Sequence, residues 1–151
     1  MTFDRRAFHR MLLGLFVASG AACARRDASE SPHRELYLLD DAERQERLLA
    51  GARQEGVVVI YTSLNTQDSG PLTQAFEARF GVKTELWRSS SDRVVQRAVA
   101  EARAGRLPHD VVETNGPELE GCFREGLLEQ FHSPHFRDLA PAAFPLHRHY
   151  V

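Results

Sequence analysis

Gly56-Val57-Val58-Val59-Ile60-Tyr61-Thr62-Ser63 is the stretch whose reading decides the fold. Four β-branched residues in succession, bounded by a helix-stopping glycine and two hydroxyl side chains, fit a buried parallel strand, since a half-exposed strand would alternate with polar residues. Such a strand needs cover on both faces. Thr62 and Ser63 then lie just past its carboxyl end, where open α/β sheets hold their ligands.

Working outward, residues 40–55 read as a helix. Asp40 or Asp41 can cap it, Leu48, Leu49 and Ala52 share one face, and Gly56 ends it. Leu36, Leu38 and Leu39 begin the packing. On the other side, residues 64–68 read as a polar loop, and Ser69 with Pro71 opens a helix through Leu72, Ala75, Phe76 and Phe80 to Gly81. Val82, Thr84 and Leu86 alternate with Lys83, Glu85 and Trp87, as in a strand near a sheet edge or one with a partly covered face.

The unit then repeats. Arg88-Ser89-Ser90-Ser91-Asp92 starts a helix whose buried face is Val94, Val95, Ala98, Val99 and Ala102. Leu107-Pro108 breaks it, residues 110–113 supply a third strand, and Thr114-Asn115-Gly116-Pro117 turns into a short helix over residues 118–124. Beyond it, Pro134, Pro141 and Pro145 punctuate a segment without clear period. The alternation of helix and strand implies a three-layer α/β fold with a mostly parallel sheet and right-handed crossovers.

The 151 residues, 42% hydrophobic, suit one domain with one core. A formal charge of −2 and the lack of long basic runs argue against nucleic acid as partner. Residues 1–22 carry a basic start (Arg5, Arg6, Arg10), an apolar middle and a small-residue exit, the pattern of an export signal peptide. Cys23 follows Gly20-Ala21-Ala22, so Cys23 is a candidate lipidation site and the chain a candidate lipoprotein. Any membrane contact is expected only through that lipid. Residues 23–39 read as a tether and lead-in, with residues 24–32 disordered. Cys122 is expected as a small packed residue without a disulfide.

Three strand exits converge in this arrangement: Thr62-Ser63, Ser89-Ser90 and Asn115-Gly116. Each offers hydroxyl, amide or backbone N–H groups at a helix start, suited to an oxyanion or an anion-coordinated metal. Each residue type also suits a helix cap. The coincidence of all three is what points to a ligand. Glu113 beside the strand end is a candidate metal ligand, or equally a solvated side chain. The pairs His132/His135 and His147/His149 raise zinc, but Pro134 interrupts the first and no cysteine or acid stands at a ligand spacing, so surface histidines are expected. Nucleophile-elbow, phosphate-loop and zinc-protease motifs are lacking. An enzyme is not expected, nor a cofactor.

Gln54-Glu55-Gly56 with the valine run, then Phe76-Glu77-Ala78-Arg79-Phe80-Gly81-Val82, Arg88-Ser89-Ser90, Asp110-Val111-Val112, and Gly126-Leu127-Leu128 with Ser133-Pro134 resemble, in order and spacing, the periplasmic solute-binding proteins of bacterial ABC importers, in the branch that includes ferric-ion binders. The resemblance covers about residues 40–144. It implies the first lobe of a type II periplasmic-binding-protein-like fold, with residues 40–151 as an incomplete N-terminal lobe. It further implies capture of ferric ion (Fe3+ as the transported ligand) or a small oxyanion-type solute, and an ABC permease with its ATPase as partners. The location implied is the periplasm or the extracytoplasmic side of a membrane. Ferric binders of the family commonly take a tyrosine pair from the second lobe, which this chain does not match, and the loop after the first strand has no histidine. A truncated, non-transporting fragment or a partner-binding α/β module is the alternative expectation.

Overall fold

The computed structural model describes residues 34–39 and 42–151. The expected signal peptide, the candidate lipidation at Cys23 and the tether over residues 24–32 lie outside the described residues. Two helices lead in, α1 (Arg34–Leu38) and α2 (Arg44–Glu55). Helix α2 stops because Gly56 takes a left-handed φ of 83°, letting its N–H close back on Ala52 O.

The sheet has three strands, β1 (Val57–Thr62), β2 (Lys83–Arg88) and β3 (Val111–Glu113), in the order β2-β1-β3. All pairings are parallel, with Tyr61 opposite Trp87 and Val112, and Thr62 opposite Arg88 and Glu113. The crossovers are α3 (Thr66–Phe80) and α4 (Ser91–Arg103), and α5 (Gly116–Arg124) follows β3. The expected order of elements, the parallel sheet, the central place of β1 and the edge position of β2 are what the structure has.

Register assigns the two faces. Thr84, on the face of Val58, Ile60 and Thr62, meets α3, because Glu77 Oε1 accepts from both its N–H (2.7 Å) and its hydroxyl (2.8 Å). Tyr61, on the opposite face, meets α4. Its hydroxyl donates to Glu101 Oε2 at 2.8 Å, and Glu101 Oε1 accepts from Arg97 Nε at 2.8 Å. The Arg97 guanidinium lies 4.4 Å from the Trp87 ring centroid and 4.8 Å from that of Tyr61, while His109 stacks on Tyr61 at 4.5 Å. Burial alone would raise the Glu101 carboxyl, but the Arg97 and Tyr61 hydrogen bonds outweigh it and hold that group below the usual range. Burial and the Glu101 hydrogen bond push the Tyr61 phenol up.

The apolar core is Tyr61, Val82, Val94, Ala98, Leu119 and Cys122. Val94 and Ala98 come from the expected face of α4, whereas Val95, Val99 and Ala102 are half-buried. Cys122 is packed as expected. One expectation needs correction: β1 is not buried throughout, since Val57 is 37% exposed and Val58, Val59 and Ile60 are half-buried. Full cover reaches only Tyr61 and Thr62, because β3 pairs with β1 from Ile60 onward.

Helix starts also differ from expectation. Helix α2 begins at Arg44, with Glu43 rather than Asp40 or Asp41 in the N-cap position. Helix α3 begins at Thr66, not at Ser69, because Asn65 caps it by accepting the Asp68 N–H at 3.0 Å, which leaves Pro71 inside the helix. Helix α5 begins at Gly116, two residues ahead of expectation. The segment after α5 folds back: His132 N–H donates to Tyr37 O (2.8 Å), and Phe136 makes edge contacts with Phe131 and Phe144 at 5.1 Å.

Candidate functional site

Parallel strands bring their carboxyl ends out along one edge, and α3, α4 and α5 all begin there. The exits are joined side by side, with Ser89 N–H donating to Thr62 O and Ser63 N–H to Glu113 O, both at 3.1 Å. The sequence-predicted residues therefore do come together. Their side chains play different parts.

Thr62 is 1% exposed, and its hydroxyl donates to Glu113 Oε2 at 2.5 Å. The same carboxylate oxygen accepts the N–H groups of Ser63 and Leu64, each at 3.1 Å, and the Leu64 N–H also reaches Thr62 Oγ1 at 3.0 Å. Thr62 and Glu113 thus tie the β1 exit to the β3 exit. Ser63 and Ser89 are half-buried at the surface of this joint.

Ser90 stands in the N-cap position of α4, yet its hydroxyl makes no cap bond to the helix N–H groups. It is instead the main reason that the nearby Asp92 carboxyl is held below the usual carboxylate range. Asn115 occupies the N-cap position of α5, also without a side-chain cap bond. Its Nδ2 donates to Ser91 Oγ at 2.9 Å, which links the starts of α4 and α5. Gly116 opens α5 with nothing within 4 Å of where a Cβ would sit. The backbone N–H groups of these two helix starts carry the positive ends of the helix dipoles.

Three residues of this edge were not singled out from sequence. Asn65 is one, and the spacing Asn65-x-x-Asp68 was the available sign of its cap. Arg88, at the end of the edge strand, donates from Nε to Leu64 O at 2.5 Å and places a cation beside the exits. Thr114 is 9% exposed with a hydroxyl that has no partner, and it lines a cleft of about 370 Å³ with Gly116, Leu119, Phe144 and Tyr150. Nothing in the residue type alone set Thr114 apart.

Among the described residues no three His, Cys, Asp or Glu side chains converge as a metal would require. His135 is exposed as expected, but His147 and His149 are half-buried rather than surface residues: His147 stacks on Phe123 at 3.6 Å with Nε2 3.1 Å from Glu120 Oε2, and His149 N–H donates to His147 Nδ1 at 3.2 Å. No described helix is long and apolar enough to cross a membrane. Chemically, the edge offers hydroxyls, backbone donors and one guanidinium. These groups suit an oxygen-rich ligand.

No protein-family profile matches this chain, and no curated protein matches it in sequence. Solved structures do match in fold. Iron-bound HitA from Pseudomonas aeruginosa superposes with a TM-score of 0.56 at 16% identity, over 61% of this chain and 30% of that one. The Trichodesmium protein IdiA (FutA), in complex with iron and citrate, gives 0.54 at 20% identity over 62% and 30%. A ferric binding protein from Campylobacter jejuni gives 0.53 at 17% identity over 60% and 29%. The chain spans less than a third of the length of each of these proteins, and the likeness establishes the fold: this is an α/β chain with a three-stranded parallel sheet that matches part of the type II periplasmic-binding-protein fold.

Proposed function

We propose that this chain is the solute-binding component of an ABC importer and captures ferric ion or a small oxyanion-type solute outside the cytoplasm. The observation that carries the reading is the single edge at which Ser63, Ser89, Ser90, Asn115 and Gly116 meet beside two helix starts that their own cap residues leave unbonded. Its likeness in fold to proteins that hold iron, or iron with citrate, supports the same reading. Binding rather than catalysis is the activity such an edge serves. Thr62 contributes by fixing the exit rather than by touching solute. Glu113 is the candidate carboxylate for a ferric solute through Oε1, the oxygen its three hydrogen bonds leave unused. Export through residues 1–22, a lipid on Cys23, and a permease with its ATPase as partners complete the proposal.

Thermal unfolding of the full chain with ferric citrate, phosphate or methylphosphonate tests it. One of these is expected to raise the melting temperature, and Ser89→Ala and Asn115→Ala are each expected to weaken that effect about tenfold in ligand concentration. Stabilisation by none of the three, or stabilisation that both alanine variants keep intact, would overturn the proposal.

A further inference from the structure

The three exits are alike in position and unlike in occupancy. At the starts of α4 and α5, the cap side chains make no bond to the helix N–H groups, and the acids of the first turns are Asp92 and Glu118. At the β1 exit, the successive N–H groups of Ser63 and Leu64 point at one place, a concave pair of donors of the kind that takes phosphate or carboxylate, and the Thr62 hydroxyl adds a third. All three donors end on Glu113 Oε2, at 3.1, 3.1 and 2.5 Å. Hydrogen bonds from neutral donors to a carboxylate are about twice as strong as those between neutral groups, and here the hydroxyl donor is 1% exposed, so water does not stand in for it.

The carboxylate comes from the neighbouring strand. Glu113 lies opposite Thr62 in the parallel register and on the same face of the sheet, so its side chain reaches this spot directly. Its own carbonyl accepts a further Ser63 bond. Arg88 supplies the nearby positive charge through its bond to Leu64 O, on the opposite side of the same loop.

We infer that Glu113 determines specificity at this edge as a built-in anion: it fills the donor pair at the β1 exit, closes that exit to free oxyanions, and leaves only the α4 and α5 starts to receive them. This rests on reading the edge as a solute site, but whether the seat is filled by the protein's own carboxylate can be tested without any solute.

The experiment is anion rescue in the full chain. Glu113→Ala empties the seat, so its melting temperature is expected to fall in chloride and to recover by roughly 3 °C or more in formate at equal ionic strength, with phosphate acting in the same direction. The unsubstituted chain should respond alike to formate and chloride. Glu113→Gln, which fills the space without the charge, should lose some stability and gain no formate response. If Glu113→Ala is unfolded in chloride, the readout becomes the folded signal gained on adding formate, followed by circular dichroism. In Glu113→Ala alone, the Ser63 and Leu64 amide resonances should shift with formate. A formate effect equal in all three proteins, or no formate effect in Glu113→Ala, overturns the inference. Solute binding that fails at the α4 and α5 starts would instead sink the functional reading, while formate rescue would still uphold the seat of Glu113.

Discussion

The two ends of β1 differ in residues and in surroundings, aliphatic Val57 and Val58 at one and hydroxyl-bearing Tyr61 and Thr62 at the other. At its start, Val57 is 37% exposed, and on the β3 side the strand is first joined at Val59, where Asp110 bonds both its N–H and its carbonyl. At its end, Tyr61 and Thr62 are 2% and 1% exposed, flanked by strands on both sides and bonded to Glu101 and Glu113. The difference teaches that stability is concentrated where the candidate ligand edge is. A binding edge must hold its donors still, and here the two side chains immediately behind it are the most constrained of the strand.

The largest expected effect comes from the sealed end. Tyr61→Ala removes a ring packed against Trp87, His109 and Arg97 and leaves Glu101 without its phenol donor, so a loss of about 3–5 kcal/mol is expected in urea denaturation. A loss under about 1 kcal/mol would erase the contrast between the ends. Thr62→Val keeps the shape and deletes one donor to Glu113. It should cost about 1–2 kcal/mol and broaden the Ser63 and Leu64 amide signals, whereas unchanged spectra would show that the joint does not depend on it.

Acid should weaken the same end next. The Glu101 carboxyl is held below its ordinary value of 4.5, so its contribution is present above that value and is lost as pH falls through the lower folded value. Burial first of all lowers His109, whose ordinary value is 6.5, so stability is also lost as pH falls below that value and the unfolded chain takes up the proton first. Glu101→Gln should flatten the most acidic part of the stability profile, and His109→Phe the part nearer neutrality. Profiles that keep their slopes would contradict both assignments. Last, Val57→Ala at the open end should cost under about 1 kcal/mol, and a larger loss would mean that the start of β1 is sealed after all.

Much of this was legible in the sequence because the valine run, the helical spacing of Val94 and Ala98, and the glycines at positions 56 and 81 report on local backbone and on burial together. The convergence of Ser63, Ser89 and Asn115 followed from topology alone. What escaped were mostly features decided by partners distant in sequence, the start of α3 being a local exception. Glu113 is an ordinary charged residue at a strand end until the parallel register sets it opposite Thr62. The start of α3 was misplaced because Pro71 is the stronger mark by composition, while the Asn65–Asp68 cap closed first and the helix tolerated the proline inside it. The exposure of Val57 depends on how early β3 joins the sheet, which no property of the run itself encodes.

The central claim, that the carboxyl edge of the sheet receives an oxygen-rich solute, is tested most directly by following backbone amide signals of the full chain during a ferric citrate titration, with phosphate in parallel. The account predicts saturable broadening or shifts confined to residues 89–92 and residues 115–116, with the amides of Val57 and Val58 unmoved. Changes centred elsewhere, or none up to the solubility limit of the ligand, would contradict it.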